Sequence, residues 1–94
     1  MNMTSLEKSS DSELVELACV QGGDAALALL AKRYEPFVFG IAFGYTHEKH
    51  AARVATDRVF TRLARDARAI RGRVQVADWL RYAAAAECDP DYHN

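Results

Sequence analysis

His50-Ala-Ala-Arg-Val-Ala-Thr-Asp-Arg-Val-Phe60-Thr-Arg-Leu63, followed by an arginine-rich connection and then Asp78-Trp79-Leu80, is the stretch that decides the fold. Ala52, Ala55, Val59 and Leu63 recur at intervals of three and four, which puts them on one side of an α-helix. Arg58, Arg62 and Arg65 recur at i, i+4 and i+7, forming a cationic ridge beside that apolar stripe. From Arg53 to Arg81 there are eight arginines against three acids, Asp57, Asp66 and Asp78, although the whole chain carries a net charge of only −1. Positive charge is concentrated here. Such a ridge suits nucleic acid or an acidic protein, and it equally describes the solvated side of a helix.

Outward from this stretch, composition points the same way. Ninety-four residues fit one domain, and half of them are apolar, as in an ordinary soluble globular protein. Alanine is abundant, only two prolines and five glycines occur, and β-branched runs are scarce, which favours helices over strands. The N-terminus lacks an apolar signal core, and no apolar run approaches the ~20 residues needed to span a bilayer. A cytoplasmic address without membrane association is the expectation.

Residues 1–9 are polar and are expected to be disordered. Ser10-Asp-Ser-Glu13 matches a capping box, opening a short helix with Leu14, Leu17 and Ala18 buried and Glu13 and Glu16 outside. Gly22-Gly23 ends it, glycine tolerating the left-handed conformation beyond a helix, and Asp24 is the expected N-cap of the next. That second helix carries Leu27, Leu30, Tyr34, Val38, Ile41 and Tyr45 near a 3.6-residue period. Pro36 falls within it and predicts a kink or restart. Phe37, Phe39 and Phe43 widen the apolar surface to nearly all sides, as for a central helix buried by its neighbours. The third helix is expected from His47 or Glu48 to Ala67. The fourth starts near Ala77 or Asp78, buries Trp79, Leu80 and Ala83, and stops at Pro90. The acidic tail, residues 89–94, lies outside the helical domain, residues 10–88. The fold class is all-α, a compact bundle of about four helices.

The side chains offer no chemistry of their own. Glycine-rich phosphate loop, nucleophile elbow and His-Glu-x-x-His motif are all missing, and no catalytic residue, cofactor or metal is expected. Asp57 and Asp66 are each next to an arginine, a pattern for ion pairs and not for an acid–base pair. Cys19 and Cys88 lack metal-ligand spacing and read as buried thiols. His47 and His50 read as residues that cap or flank a loop.

An ordered series of features carries a resemblance. Asp11-Ser-Glu-Leu-Val-Glu-Leu-Ala, Gly23-Asp24, Leu30-Ala-Lys-Arg-Tyr34-Glu-Pro-Phe-Val38, Asp57-Arg-Val-Phe60-Thr-Arg-Leu63 and Trp79-Leu80 together resemble the second conserved region of extracytoplasmic-function sigma factors, over residues 11–84. The resemblance implies a helical domain that docks on the clamp helices of the bacterial RNA polymerase core and captures single-stranded promoter DNA. Polymerase docking then falls on Arg53, Asp57, Arg58, Phe60, Arg62 and Leu63. The implied DNA-binding set is Arg65, Arg68, Arg71, Arg73, Trp79, Arg81 and Tyr82, with the connection 68–77 cradling an extruded base. Arginines neutralise phosphates, aromatics stack on bases, and a flipped base needs a pocket.

The chain also departs from the family. Where the family carries an acidic Ala-Glu-Asp-Leu, this sequence has Ala52-Arg53-Val54-Ala55, and Asp57 replaces a glutamine. Charge is thereby reversed at the segment implied to dock. Ala84-Ala85-Ala86 stands where Ala-Arg-Asn is usual, and nothing matches the family's second DNA-binding domain. Two expectations follow. One is a sigma-like transcription factor; the other is a degenerate sigma-like module that binds an anti-sigma factor, a polymerase surface or another copy of itself without binding DNA.

Overall fold

The computed structural model describes residues 8–20, 23–72 and 75–89. Four helices follow one another: α1 (Asp11–Ala18), α2 (Asp24–Thr46), α3 (Lys49–Ile70) and α4 (Val76–Cys88). They form a compact all-helical globule with no strand among the described residues. The expectations for 1–7, for Gly22 and for 90–94, Pro90 included, lie outside the described residues.

The capping box of α1 is formed as the spacing predicts. The Glu13 amide donates to Ser10 Oγ (3.2 Å), and the Ser10 amide donates to Glu13 Oε1 (2.7 Å). That satisfies two donors which a helix start otherwise leaves open. The buried side of α1 is Leu14 and Val15, whereas Leu17 is 36% exposed. In eight residues two apolar stripes fit the period almost equally well, and packing on α2 selects between them.

Gly23, not Asp24, is the N-cap of α2, and its φ of −78° is not left-handed. Its glycine identity has a steric cause. A Cβ there would lie 2.4 Å from the Leu17 carbonyl oxygen and 2.7 Å from Ala18 Cα, so α1 and α2 meet too closely for any side chain. α2 then runs through Pro36 as one element, without restarting. Pro36 and Lys32 are exposed, so water can satisfy the Lys32 carbonyl that the missing amide leaves free. α2 packs against the other three helices and buries Ala26, Leu29, Leu30, Val38 and Ala42. It is central but not enclosed: Phe43 (37%) and Tyr45 (47%) are exposed beside Gly40 and Gly44, which have open space around them. His47 closes the helix in the left-handed region (φ 56°), donating its amide to the Phe43 carbonyl (2.8 Å). It caps, as expected.

α3 buries Ala52, Ala55, Thr56, Val59, Leu63, Ala67 and Ile70, continuing the predicted stripe three residues past the expected end at Ala67. Thr56 is wholly buried and satisfies its hydroxyl on the Ala52 carbonyl (2.7 Å). The Glu48 carboxylate caps its start, accepting from the Ala51 amide. Gly72, at φ +72°, takes the chain away from it. α4 starts at Val76 and extends through Glu87 and Cys88, with Asp89 as its C-cap. Ala83, Ala84 and Ala85 are at most 6% exposed. The three consecutive small residues let α4 approach its neighbours closely; Ala85, where the family usually carries arginine, is a core position here. Cys19 and Cys88 are both free thiols, and burial pushes the Cys88 pKa up, keeping it protonated near neutral pH.

Candidate nucleic-acid and docking surface

α3 organises the surface because its arginines leave the helix on two flanks. Arg53 and Arg71 are about five turns apart and return to the same side. Arg53 pairs with Glu35 of α2 (3.1 Å) and lies over the Phe39 ring (5.2 Å). Arg71, the C-cap, pairs with Glu16 of α1 (3.4 Å). Near it, Arg68 donates to the Cys19 carbonyl (3.2 Å), tying α3 to the end of α1. The other flank carries Arg58, Arg62 and Arg65, the ridge predicted from spacing. Here Arg62 reaches α4, pairing with Glu87 (3.5 Å) and lying over the Trp79 ring (5.7 Å). Arg65 is held by its neighbour Asp66 through two contacts (3.0 and 3.4 Å). The hydrogen bond from Arg65 holds the Asp66 carboxyl below its usual range. Arg58 is exposed, and among the described residues no ion pair holds it.

The structure therefore divides the thirteen sequence-predicted residues. Asp57 and Arg58 are exposed on α3, and Phe60 is half-buried against the core. Leu63 is 1% exposed. It packs inside the bundle and offers no surface to a partner, so its part is to hold α3 in place. Trp79 and Tyr82 are half-buried on α4. Arg81 pairs with Asp78 one turn earlier (3.3 Å) and lies over Phe37 of α2 (5.7 Å). Arg73 lies outside the described residues.

Beside the α3–α4 connection lies a cleft of about 470 Å³, lined by Ser12 and Val15 of α1, Ile70 and Gly72 at the end of α3, and Gln75, Val76 and Asp78 at the start of α4. Val15, Ile70 and Val76 give it apolar walls. Ser12, Gln75 and Asp78 supply polar groups to its lining. The resemblance implies a base-cradling connection at 68–77, and the cleft borders its described residues; the contribution of α1 had no signal, because nothing local to Ser12 or Val15 marks a contact with α4.

Comparison with protein-family models, with curated proteins and with solved structures finds no match to this chain. The surface must be read from its own residues. Among those described, no group of three His, Cys, Asp or Glu side chains is placed to hold a metal ion, and no helix is long and apolar enough to cross a membrane. The other element that sequence reasoning missed is Glu87. Its pairing with Arg62 has no local signature, since the two residues meet only once α4 has packed on α3.

Proposed function

We propose that this chain is a sigma-factor-like module that contacts the clamp helices of a bacterial RNA polymerase core and holds single-stranded promoter DNA. The observation that carries the reading is the Arg62–Trp79 pair, a cation stacked on an aromatic where α3 meets α4, in a fold whose α3–α4 connection borders a cleft. A strand lying along the Arg58, Arg62 and Arg65 ridge brings phosphates to the guanidinium groups and a base to the indole. An extruded base enters the cleft between Val15, Ile70 and Val76, with Gln75 and Asp78 at its polar edge. On the opposite flank Arg53, with Asp57 exposed further along α3, meets the polymerase; Arg58 and Arg62, which the resemblance implies for docking, go to the strand in this reading because they share the ridge that turns to α4 and Trp79.

The internal ion pairs do not exclude this use. Arg53, Arg65, Arg71 and Arg81 have side chains 47–70% exposed. Exposed pairs contribute about 0–1 kcal/mol each, so a phosphate can replace the carboxylate. The test uses the full chain: co-purification with core polymerase, and fluorescence titration with a labelled single-stranded oligonucleotide across salt concentrations. Retention on core polymerase is expected, together with strand binding that falls as salt rises, with a log–log slope of about −1.5 to −2 for two or three phosphates. Neither activity at low salt overturns the reading.

A second reading is favoured by the same arginines being engaged within the molecule, and by the exposure of Leu17, Val20, Phe43 and Tyr45. It is a protein-interaction module without DNA binding, taking an anti-sigma factor, a polymerase surface or a second copy of itself. Retention of a protein partner with no strand binding at any salt concentration selects it.

A further inference from the structure

Glu87 stands out within the ridge. It lies in the last turn of α4, where the helix dipole disfavours a negative charge and no basic residue of that turn offsets it. Its compensation comes from another helix. Arg62 reaches across to it at 3.5 Å, and both side chains are largely covered, at 24% and 20% exposure. The same guanidinium lies 5.7 Å from the Trp79 ring centre. One carboxylate thus faces the ridge and holds Arg62 down over the only tryptophan of the chain.

We propose that Glu87 is an intramolecular competitor for phosphodiester groups: its carboxylate occupies the position at Arg62 that a phosphate of a single strand would take, and strand binding at the Arg62–Trp79 pair requires that this ion pair open. The inference rests on the nucleic-acid reading above and adds a regulatory element to it. A carboxylate and a phosphate are both oxygen anions recognised by the planar guanidinium fork, so they exchange at one site without rebuilding it. Opening the ion pair also frees a ring face. A phosphate gains a cation, and a base gains a stacking surface, in a single movement of one side chain.

The test compares the full chain with Glu87→Gln, and with Glu35→Gln as a control carrying the same charge change on α2. Removing an acid from the last turn does not oppose the helix dipole, so the E87Q variant is expected to fold, as circular dichroism will check. The probe is a labelled oligothymidylate, titrated at several salt concentrations. The E87Q variant is expected to bind at least about fivefold more tightly than the parent, because removing one partner of a largely covered ion pair leaves the Arg62 charge uncompensated. Its salt slope should steepen by about 0.7, as one more phosphate of a single strand is engaged. Trp79 emission should change in this variant without any nucleic acid, since the fluorophore is unique; Glu35→Gln should alter neither. Equal strand binding by the parent and both variants, or equal tightening in both variants, overturns the competitor role and leaves the nucleic-acid reading standing. No strand binding by any of the three overturns both.

Discussion

Tyr34 donates its hydroxyl to Asp11, and Arg33 holds the other oxygen of that carboxylate at 3.0 Å while donating to the Ser9 carbonyl at 2.7 Å. Two side chains of α2 thus share one acid of α1, and they fix the short first helix to the long second one. The hydrogen bond to Asp11, helped by burial and by the Asp11 charge and opposed by Arg33, pushes the Tyr34 pKa up to about 12. The sign of the linkage follows. With a folded pKa above the ordinary value near 10, the folded chain retains a proton that the unfolded chain gives up, so the contribution to stability is complete below pH 10 and is lost as pH rises through about 12. Thermal unfolding followed at pH 9, 10 and 11 should show a decline that Tyr34→Phe abolishes, at the expense of some stability near neutral pH. An unchanged alkaline decline in the phenylalanine variant would place its origin elsewhere. Glu13 is the acid-side counterpart. Its hydrogen bonds with Ser10 hold its pKa below the ordinary value, so the capping box weakens as pH falls through that lowered pKa.

At the scale of the elements, two glycines of one helix should respond oppositely to the same substitution. Gly23→Ala puts a methyl group 2.4 Å from the Leu17 carbonyl oxygen. Backbone cannot step aside as a flexible side chain can, and a loss of about 1–3 kcal/mol is expected, or several degrees to about 20 °C in Tm for a domain of this size. Gly40→Ala meets nothing within 4 Å on an exposed helical face, and should stabilise by about 0.5–1 kcal/mol through helix propensity alone. Differential scanning calorimetry decides both. The pair also marks what the sequence could reveal. The capping box was legible because Ser10 and Glu13 are neighbours along the chain, and the α3 stripe because seven buried residues repeat one period. The reason for Gly23 was not legible, since it lies in the meeting of two helices. Nor was the choice of Val15 over Leu17, which a two-turn helix leaves to its neighbours. Pro36 suggested an interruption; an exposed position and burial on the opposite side of α2 keep the helix continuous.

Over the whole molecule, the arginines illustrate the limit of periodicity. Spacing put Arg58, Arg62 and Arg65 on one side of α3, and the structure has Arg62 and Arg65 turned to α4 and to Asp66. Local pattern carried no sign that Arg53, Arg68 and Arg71 would turn to α1 and α2, because their partners Glu35, Cys19 and Glu16 lie elsewhere in the sequence. That division gives the proposed function its sharpest consequence. If the α4 flank holds the strand and the α2 flank meets the polymerase, the two activities are separable by single substitutions. Arg62→Ala removes a phosphate partner and the cation over Trp79 together, and is expected to weaken oligonucleotide binding by about tenfold or more while leaving retention on core polymerase. Arg53→Ala is expected to do the reverse. Truncating Arg53 breaks only an exposed pair with Glu35 and a contact with Phe39, so the fold should lose little, within about 1 kcal/mol. Paired measurements on both variants, strand titration and polymerase co-purification, check this with folding monitored by circular dichroism. Parallel loss of both activities in both variants would mean a single undivided surface, and loss of neither would remove α3 as the working helix.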